Sequence, residues 1–499
     1  MSPVGHQSPP GVEARLPLRS RAGTLTLILL CGVQFLDIAD SAIVNVALPS
    51  IRHSLGFSQQ NLQWVASGYL LTYGGFLLLG GRLADLFGRR RMLSLGLGVF
   101  AASSLAAGAA TDPGLLVTSR LVQGLGAALM APAALSHLAV SFRAGKDRNT
   151  ALGVWGAVSG MAAAAGVFLG GLFTQGPGWR WVFLVNPPLA VLIAVAARRV
   201  LVQDQPARGD RAKFDWQGAI LVTAGLLGLV YGLVRAPVVG WGSSQTFGAL
   251  AVSGMLLAAF LRNESAARDP LVPFEILKIR GLAAADLTQL IAFTGFIGMF
   301  FFTTLYMQQI LGWSPLKAGA SYLPVTAGFA IAGAVTAQLV TRVGTRVVTV
   351  AGCLIASAGI WYLSRVPVGG YYVHDVLPGL LVMALGAGAA FVSVTAAANA
   401  GVPGDKAGLA AGLLNSSQQL GSALGLAILS AVAFTRTHDL LAAGAAPSAA
   451  TNAGFHRALL LSAVLMAGAA VVAARTADTR AAAPLVMVNT EPEPQVPSQ

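Results

Sequence analysis

Two acidic side chains three residues apart, Asp37 and Asp40, interrupt an apolar run that extends from about residue 25 to 48. Gln34, Ser41 and Asn45 join them in one polar stripe on a helix. Charge inside a bilayer is costly, so an ionisable residue at membrane depth is a functional candidate by default. Buried carboxylates that repel each other compete for ionisation, and at least one could take up and release a proton near neutral pH. The same acids could instead pair with Arg120, or cap a kink, and never titrate. Arg120 is the one basic residue that falls within an apolar run, and Gln123, Gly124 and Gly126 follow it. It could tune an acid or carry part of a proton path, or simply snorkel to the interface.

A second constellation is Gly81-Arg82-Leu83-Ala84-Asp85-Leu86-Phe87-Gly88-Arg89-Arg90-Arg91, set between two runs that are each long enough to cross a membrane. Its charges must therefore sit at a membrane surface, in a short loop between two spanning helices. Gly81 permits close helix approach and Gly88 a left-handed turn, while Asp85 can accept hydrogen bonds from the arginines or from a helix N-terminus. Such a loop could latch two rigid halves, or could serve only to fix orientation.

Other polar and aromatic positions are sparser. The run near 150–173 carries Gly153, Gly156, Gly160, Gly166, Gly170 and Gly171, a small-residue spacing suited to close helix packing. The run near 407–434 repeats the device with Gly408, Gly412, Gly421 and Gly425, and adds Asn415, Gln418 and Gln419, amides that lipid would penalise and a cavity would accommodate. Phe293, Phe296, Phe300, Tyr306, Gln308 and Gln309 mark the ninth run, either as core or as a greasy wall for an amphiphilic substrate. Asp286, at the start of that run, is expected to be a solvated cap near the interface.

The elements that must position these groups are fourteen apolar runs, near 25–48, 62–81, 92–110, 115–137, 150–173, 181–198, 216–234, 245–261, 284–310, 318–340, 347–364, 376–398, 407–434 and 457–474. With 55% hydrophobic and 10% charged residues and a mean hydropathy of +0.70, the chain reads as an all-α polytopic membrane protein. The net charge of +13 would suggest a nucleic-acid partner for a soluble protein. Here its distribution argues otherwise. Loops on the side of the N-terminus hold 24 of the 32 Lys and Arg and the opposite loops 7, which predicts both termini cytoplasmic. The first run is too long for a signal h-region and has no small-residue cleavage site, so it is expected to be a retained span. Cys31 and Cys353 lie in separate apolar runs without metal or redox spacing.

An internal echo relates Leu83-x-Asp85-x-x-Gly88-Arg89-Arg90 to Leu339-x-Thr341-x-x-Gly344-Thr345-Arg346, and Gly124-Leu-Gly126 to Gly386-Ala-Gly388. It implies two six-helix halves related by duplication. The expected organisation is a cytoplasmic tail (1–23), a six-helix bundle (24–203), a linker with two extra spans (204–281), a second six-helix bundle (282–475) and a disordered cytoplasmic tail (476–499). No P-loop, dinucleotide fingerprint, H-E-x-x-H or G-x-S-x-G occurs, so no enzyme activity, cofactor or metal is expected.

The loop at 81–91 resembles, position by position, the signature between helices 2 and 3 of the major facilitator superfamily. Asp40-Ser-Ala-Ile-Val-Asn45-Val-Ala-Leu-Pro49, Leu62-Gln-Trp64 through Tyr69, Arg120-Leu-Val-Gln123-Gly124, Trp179-Arg180-Trp181 through Asn186-Pro187, and Leu305-Tyr306 through Gly319 are similar to its fourteen-helix drug:proton antiporter branch. The resemblance spans about residues 25–430 and implies a major facilitator fold of two six-helix bundles plus two inserted helices. It implies proton-coupled export of hydrophobic or amphiphilic compounds, such as antibiotics, dyes or biocides, from the plasma membrane, with the proton gradient as energy source. Asp40 and Arg120, with Asp37 as an additional acid, would serve proton coupling. Gly81, Asp85, Gly88, Arg89 and Arg90 would form the gate. Gln34, Asn45, Tyr69, Phe296, Phe300, Tyr306, Asn415, Gln418 and Gln419 are the cavity candidates, and Gly156, Gly160, Gly166 and Gly170 the packing glycines. The expected partners are a small-molecule substrate, protons and the lipid bilayer, with no nucleic acid, and the chain is expected to act as a monomer. A symporter, a lipid or metabolite carrier, or a membrane sensor are the competing readings. One departure stands out: the branch carries Gly-Pro in the fifth span where this chain has Gly166-Val167, so a weaker kink is expected there.

Overall fold

Apolar runs of about twenty residues satisfy their own backbone only as helices, and the chain folds accordingly. A computed structural model describes residues 16–58, 61–142, 146–201, 215–267, 270–272, 275–279, 281–400, 402 and 407–478. Fourteen main helices follow one another: α1 Arg21–Leu55, α2 Trp64–Phe87, α3 Arg89–Gly108, α4 Pro113–Ser141, α5 Lys146–Gln175, α6 Asn186–Val200, α7 Trp216–Val239, α8 Ser244–Ala266, α9 Leu282–Leu305, α10 Leu323–Val343, α11 Thr345–Leu363, α12 Leu377–Asn399, α13 Ala407–Ala442 and α14 Pro447–Ala473. Short helices Trp181–Leu184 and Pro315–Ala320 precede α6 and α10, and π-turns Tyr306–Ile310 and Tyr372–Val376 end α9 and open α12. Among the described residues, thirteen helical stretches are long and apolar enough to cross a bilayer. The remaining one, α5, has 30 residues, or about 45 Å at 1.5 Å per residue, and runs unbroken past Val167.

Side-chain caps set several helix starts. Ser20 accepts from the Gly23 amide at α1, Asp112 from Leu115 at α4 with Pro113 in the first turn, and Asp215 from Gly218 at α7. Helices α2 and α3 are joined by Gly88 alone, at φ 97°, and α10 and α11 by Gly344 alone, at φ 88°. Only glycine takes such a backbone cheaply, so the echo between the two loops is also an echo in geometry.

The first six helices pack on one another, chiefly α1 on α5, α2 and α3 on α4, and α3 on α6. A matching set forms from α9, α10, α11, α12, α13 and α14. Helices α7 and α8 pair with each other, and α7 leans on α2 and α13, so the inserted pair sits beside the seam between the two sets. The Leu16 amide donates to the Ser141 carbonyl, Arg90 Nη1 to the Leu201 carbonyl, and Arg346 to the Thr476 carbonyl. These contacts gather the N-terminal segment, the Gly88 loop, the end of α6 and the segment after α14 on one side, called the loop face below.

Backbones touch where glycines face each other. A β-carbon on Gly126 would lie 2.7 Å from the Phe100 nitrogen and 2.9 Å from the Gly96 carbonyl oxygen, and one on Gly352 would lie 2.8 Å from the Gly386 carbonyl oxygen. The α3/α4 and α11/α12 crossings therefore use the same device in each half. Gly166 and Gly170 bring α5 onto the Ala39 and Ile43 carbonyls of α1, and Gly421 and Gly425 bring α13 onto α9. The side-chain environments of Gly156, Gly160 and Asp85 lie outside the described residues. Gly81 differs from its expectation: the close approach to α4 is made by Gly80 against the Ala128 carbonyl, whereas a β-carbon on Gly81 would meet only Pro132 at an ordinary 3.7 Å.

Gly126→Ala is expected to lower the thermal stability of the detergent-purified protein by about 1–3 kcal/mol, because backbone on the facing helix cannot yield. Gly98→Ala, with nothing within 4 Å, is expected to be neutral or stabilising in the same melting experiment.

Candidate functional site

The two aspartates of α1 are one helical turn apart and have opposite surroundings. Asp40 is 1% exposed and forms an ion pair with Arg120, Nη1 to Oδ2, at 2.6 Å. Its Oδ1 accepts from Gln123 Nε2 at 2.9 Å and Asn186 Nδ2 at 2.6 Å. Arg120 also donates from Nε to the Val65 carbonyl at 2.8 Å and from Nη1 to Gln123 Oε1 at 2.6 Å. Gln123 Nε2 donates in addition to Ser104 Oγ at 2.7 Å. Charges and most lone pairs are matched, which is the condition for burying an ion pair at all. Five elements meet here: α1, α2, α3, α4 and α6.

Asp37 has no cation beside it among the described residues. Its carboxylate accepts from the Tyr69 hydroxyl at 2.5 Å on Oδ1 and from the Tyr73 hydroxyl at 2.9 Å on Oδ2. Tyr69 and Tyr73 are four residues apart on α2, so both rings present to α1 from one helix face. The Tyr69 ring lies under the Arg120 guanidinium, 4.3 Å from Cζ to the centroid, and so stands between the ion pair and the second acid. The hydroxyls give Asp37 hydrogen bonds without cancelling its charge.

Asp37 and Tyr73 line a cavity of about 810 Å³ between the two helix sets. Gln34, Trp155 and Ser159 contribute to its wall from α1 and α5, and Asn415, Gln418 and Gln419 from α13. The amides of Asn415 and Gln419 flank the Tyr73 hydroxyl, so α2 and α13 meet through a polar contact at Asp37. Toward the loop face the cavity reaches Gly81, Arg82, Asp215, Pro270 and Leu271. At the opposite face the halves are in contact. A β-carbon on Gly171 would lie 2.7 Å from Leu316 Cα, Gly319 abuts the Val167 carbonyl, Gln308 Nε2 donates to the Val46 carbonyl, and the Leu316 amide donates to Gln175 Oε1.

Of the sequence candidates, Gln34, Asp37, Asn415, Gln418 and Gln419 reach the cavity together, whereas Asp40 and Arg120 stand behind Tyr69. Phe296 and Phe300 belong instead to an aromatic cluster with Phe293, Phe329, Phe391 and Tyr322, in which ring centroids lie 4.4–5.9 Å apart. Stacking between α9, α10 and α12 takes their faces away from the cavity. Tyr306 donates to the Pro367 carbonyl at 2.6 Å, and Asn45 Nδ2 to the Ser41 carbonyl within α1. Asp286 is not a solvated cap: α9 begins after Gly281, and Asp286 is 8% exposed with both carboxylate oxygens lacking a hydrogen-bond partner. Tyr73 and Ser104 are not among the sequence candidates, and Asn186 enters there only as part of the Trp179-to-Pro187 stretch. Tyr73 was within reach as the residue one turn beyond Tyr69, but Ser104 is one hydroxyl among many.

The family model described as Major Facilitator Superfamily matches residues 30–426. The puromycin resistance protein pur8 of Streptomyces alboniger is 38% identical, over 86% of this chain and 86% of that one. The cephamycin export protein CmcT of Amycolatopsis lactamdurans is 37% identical, over 82% and 85%. The tetracenomycin C resistance and export protein of Streptomyces glaucescens is 35% identical, over 88% and 81%. Among solved structures, a bacterial homologue of the human lysosomal transporter Spinster, inward-facing and unoccupied, superposes with a TM-score of 0.66 at 15% identity, covering 91% of this chain and 96% of that one.

Replacing one member of the ion pair leaves an uncompensated buried charge. Arg120→Gln is expected to cost about 3–5 kcal/mol of stability, and Asp40→Asn combined with Arg120→Gln to recover most of it. Thermal unfolding of the two variants in detergent, beside wild type, checks the coupling.

Proposed function

This chain belongs to the major facilitator superfamily, and from that premise we propose that it exports hydrophobic or amphiphilic small molecules across the plasma membrane in exchange for protons. As a member of that family it is a multi-pass membrane transporter and not an enzyme. The similar proteins named for antibiotic resistance and export support a drug-like substrate, and the excess of Lys and Arg on the loop face supports cytoplasmic termini.

One observation carries the exchange reading. Asp37 is a buried carboxylate on the cavity wall with no cation beside it among the described residues, while the neighbouring charge on Asp40 is cancelled by Arg120. Such a group is satisfied by a proton or by the positive part of a bound molecule, and not by both at once. Competition for one carboxylate gives antiport: the substrate displaces the proton on the cytoplasmic side, and a proton displaces the substrate outside. Asp40 and Arg120 hold the first helix set rigid behind this site and are positioning residues in the scheme. The loop at Gly88 would latch the halves when the cavity faces outward, and the contacts among Gly171, Leu316 and Gly319 latch them when it faces inward. One proton exchanged for a monovalent cation moves no net charge, so the pH difference drives the exchange, at about 1.4 kcal/mol or tenfold per unit.

Everted vesicles energised acid-inside are expected to release protons when ethidium is added. Asp37→Asn is expected to lower that release at least tenfold while the protein remains folded and in the membrane. Ethidium movement that leaves the gradient untouched in wild type, or an Asp37→Asn protein that releases protons normally, would sink the proposal.

A further inference from the structure

The inward face of α9 is a buried stripe of Leu282, Ala285, Asp286, Gln289, Ala292 and Phe293, none more than 9% exposed. A leucine at position 286 would complete it. The position instead carries an acid, beside a cluster formed by Ile276, Leu282, Ala285, Val394, Ala410 and Leu413, and no described side chain or amide bonds either oxygen. An apolar residue there would be at least as stable, so the acid is a functional candidate.

The next turn connects it to the transport cavity. Gln289, on the same helix face, donates from Nε2 to Gln418 Oε1 at 3.2 Å, and its own Oε1 is buried without a partner. Gln418 belongs to the cavity wall, next to the two amides that flank the Tyr73 hydroxyl on Asp37. Polar groups thus run from Asp37 through Tyr73 and α13 to Gln289, one turn from Asp286, crossing the seam between the halves. Gly421 and Gly425 hold the α9/α13 contact at backbone distance on the Leu290 and Thr294 carbonyls, leaving no room for a drug-sized molecule. Among the described residues, charged groups near this end of α9 are Glu275 and Lys278 on the preceding turn, Arg346 at the start of α11, whose guanidinium donates to the Thr476 carbonyl, and Arg475 and Asp478 after α14. Glu275, Lys278 and Arg475 are exposed, Asp478 is partly so, and no ion pair joins any of the five to Asp286. From α12 and α13 the neighbouring apolar cluster takes Val394, Ala398, Ala410, Leu413 and Leu414.

We propose that Asp286 is a second proton-binding carboxylate, placed in the C-terminal half and reached from the cavity along Gln289, so that each transport cycle carries two protons and not one. The inference rests on the antiport reading given above. One acid in each half lets rocking of the halves change the surroundings of both, and a second inward proton makes exchange for a monovalent cation electrogenic, so that the membrane potential adds to the drive.

The test is the number of protons moved per ethidium by the full-length protein in proteoliposomes, read with a pH dye inside the vesicles at a fixed potassium-diffusion potential. Wild type is expected to move about two, Asp286→Asn and Asp286→Leu about one, and Asp286→Glu about two. Asp286→Leu completes the apolar stripe and is expected to melt no lower than wild type, so that loss of folding cannot account for its change. A ratio of about one in wild type that is unchanged in Asp286→Leu overturns the second site and leaves antiport standing. A ratio of zero in wild type overturns the antiport reading itself.

Discussion

A guanidinium left alone in hydrocarbon would be held at a cost of several kcal/mol, and the N-terminal half is arranged so that Arg120 never is. Asp40 takes its charge, the Val65 carbonyl and Gln123 take further donors, and Tyr69 covers its face. The remaining lone pairs of Asp40 call in Asn186 from α6. Satisfying one cation therefore fixes the relative positions of five helices, and it does so without using Asp37. That separation gives the two neighbouring acids different surroundings. One charge is cancelled by an ion pair, and the other acid, itself only 3% exposed, lies on the cavity wall.

Around this polar centre the packing is carried by glycine. Helices in a bilayer gain nothing from excluding lipid, so they associate where backbones can approach. Gly96 with Gly126, and Gly352 with Gly386, perform this at equivalent crossings of the two halves, and Gly88 and Gly344 make equivalent one-residue links. Rigid bundles joined through few seams can rock as units. The seam at Asp37, Tyr73, Asn415 and Gln419 is polar, while the one at Gly171, Leu316 and Gly319 is a backbone contact. A change of charge at the first can alter one seam without loosening the bundles.

The valine at 167 acquires a definite meaning in this arrangement. Helix α5 continues through it without interruption, and its carbonyl receives Gly319 of the opposite half. Closure on the face away from the loops here depends on glycine contacts and not on a proline kink. The inserted pair, α7 and α8, adds Asp215 to the mouth of the cavity by way of the α7 cap, which makes it part of the vestibule as well as a connector.

What the sequence determined by itself was set by local rules. Apolar length decides that a segment spans, the Lys and Arg bias decides which loops share a side, and a positive-φ link decides that Gly88 and Gly344 are glycine. The spacing of Asp37, Asp40 and Arg120, and of Asn415, Gln418 and Gln419, likewise marked where charge and amides lie at membrane depth. Which acid is paired was beyond such rules, because Asp37 and Asp40 have the same local surroundings and differ only in what α2, α4 and α6 bring to them. The aromatic stripe of α9 left core and cavity wall both open for the same reason: helical spacing gives a face, and only packing against α10 and α12 decides that Phe296 and Phe300 meet other rings. Asp286 lay two residues from the start of a predicted apolar run near 284, where solvent was the simplest expectation. Burial by α12, α13 and the turn at Ile276–Lys278, all distant or reversed in sequence, made it an acid without a partner.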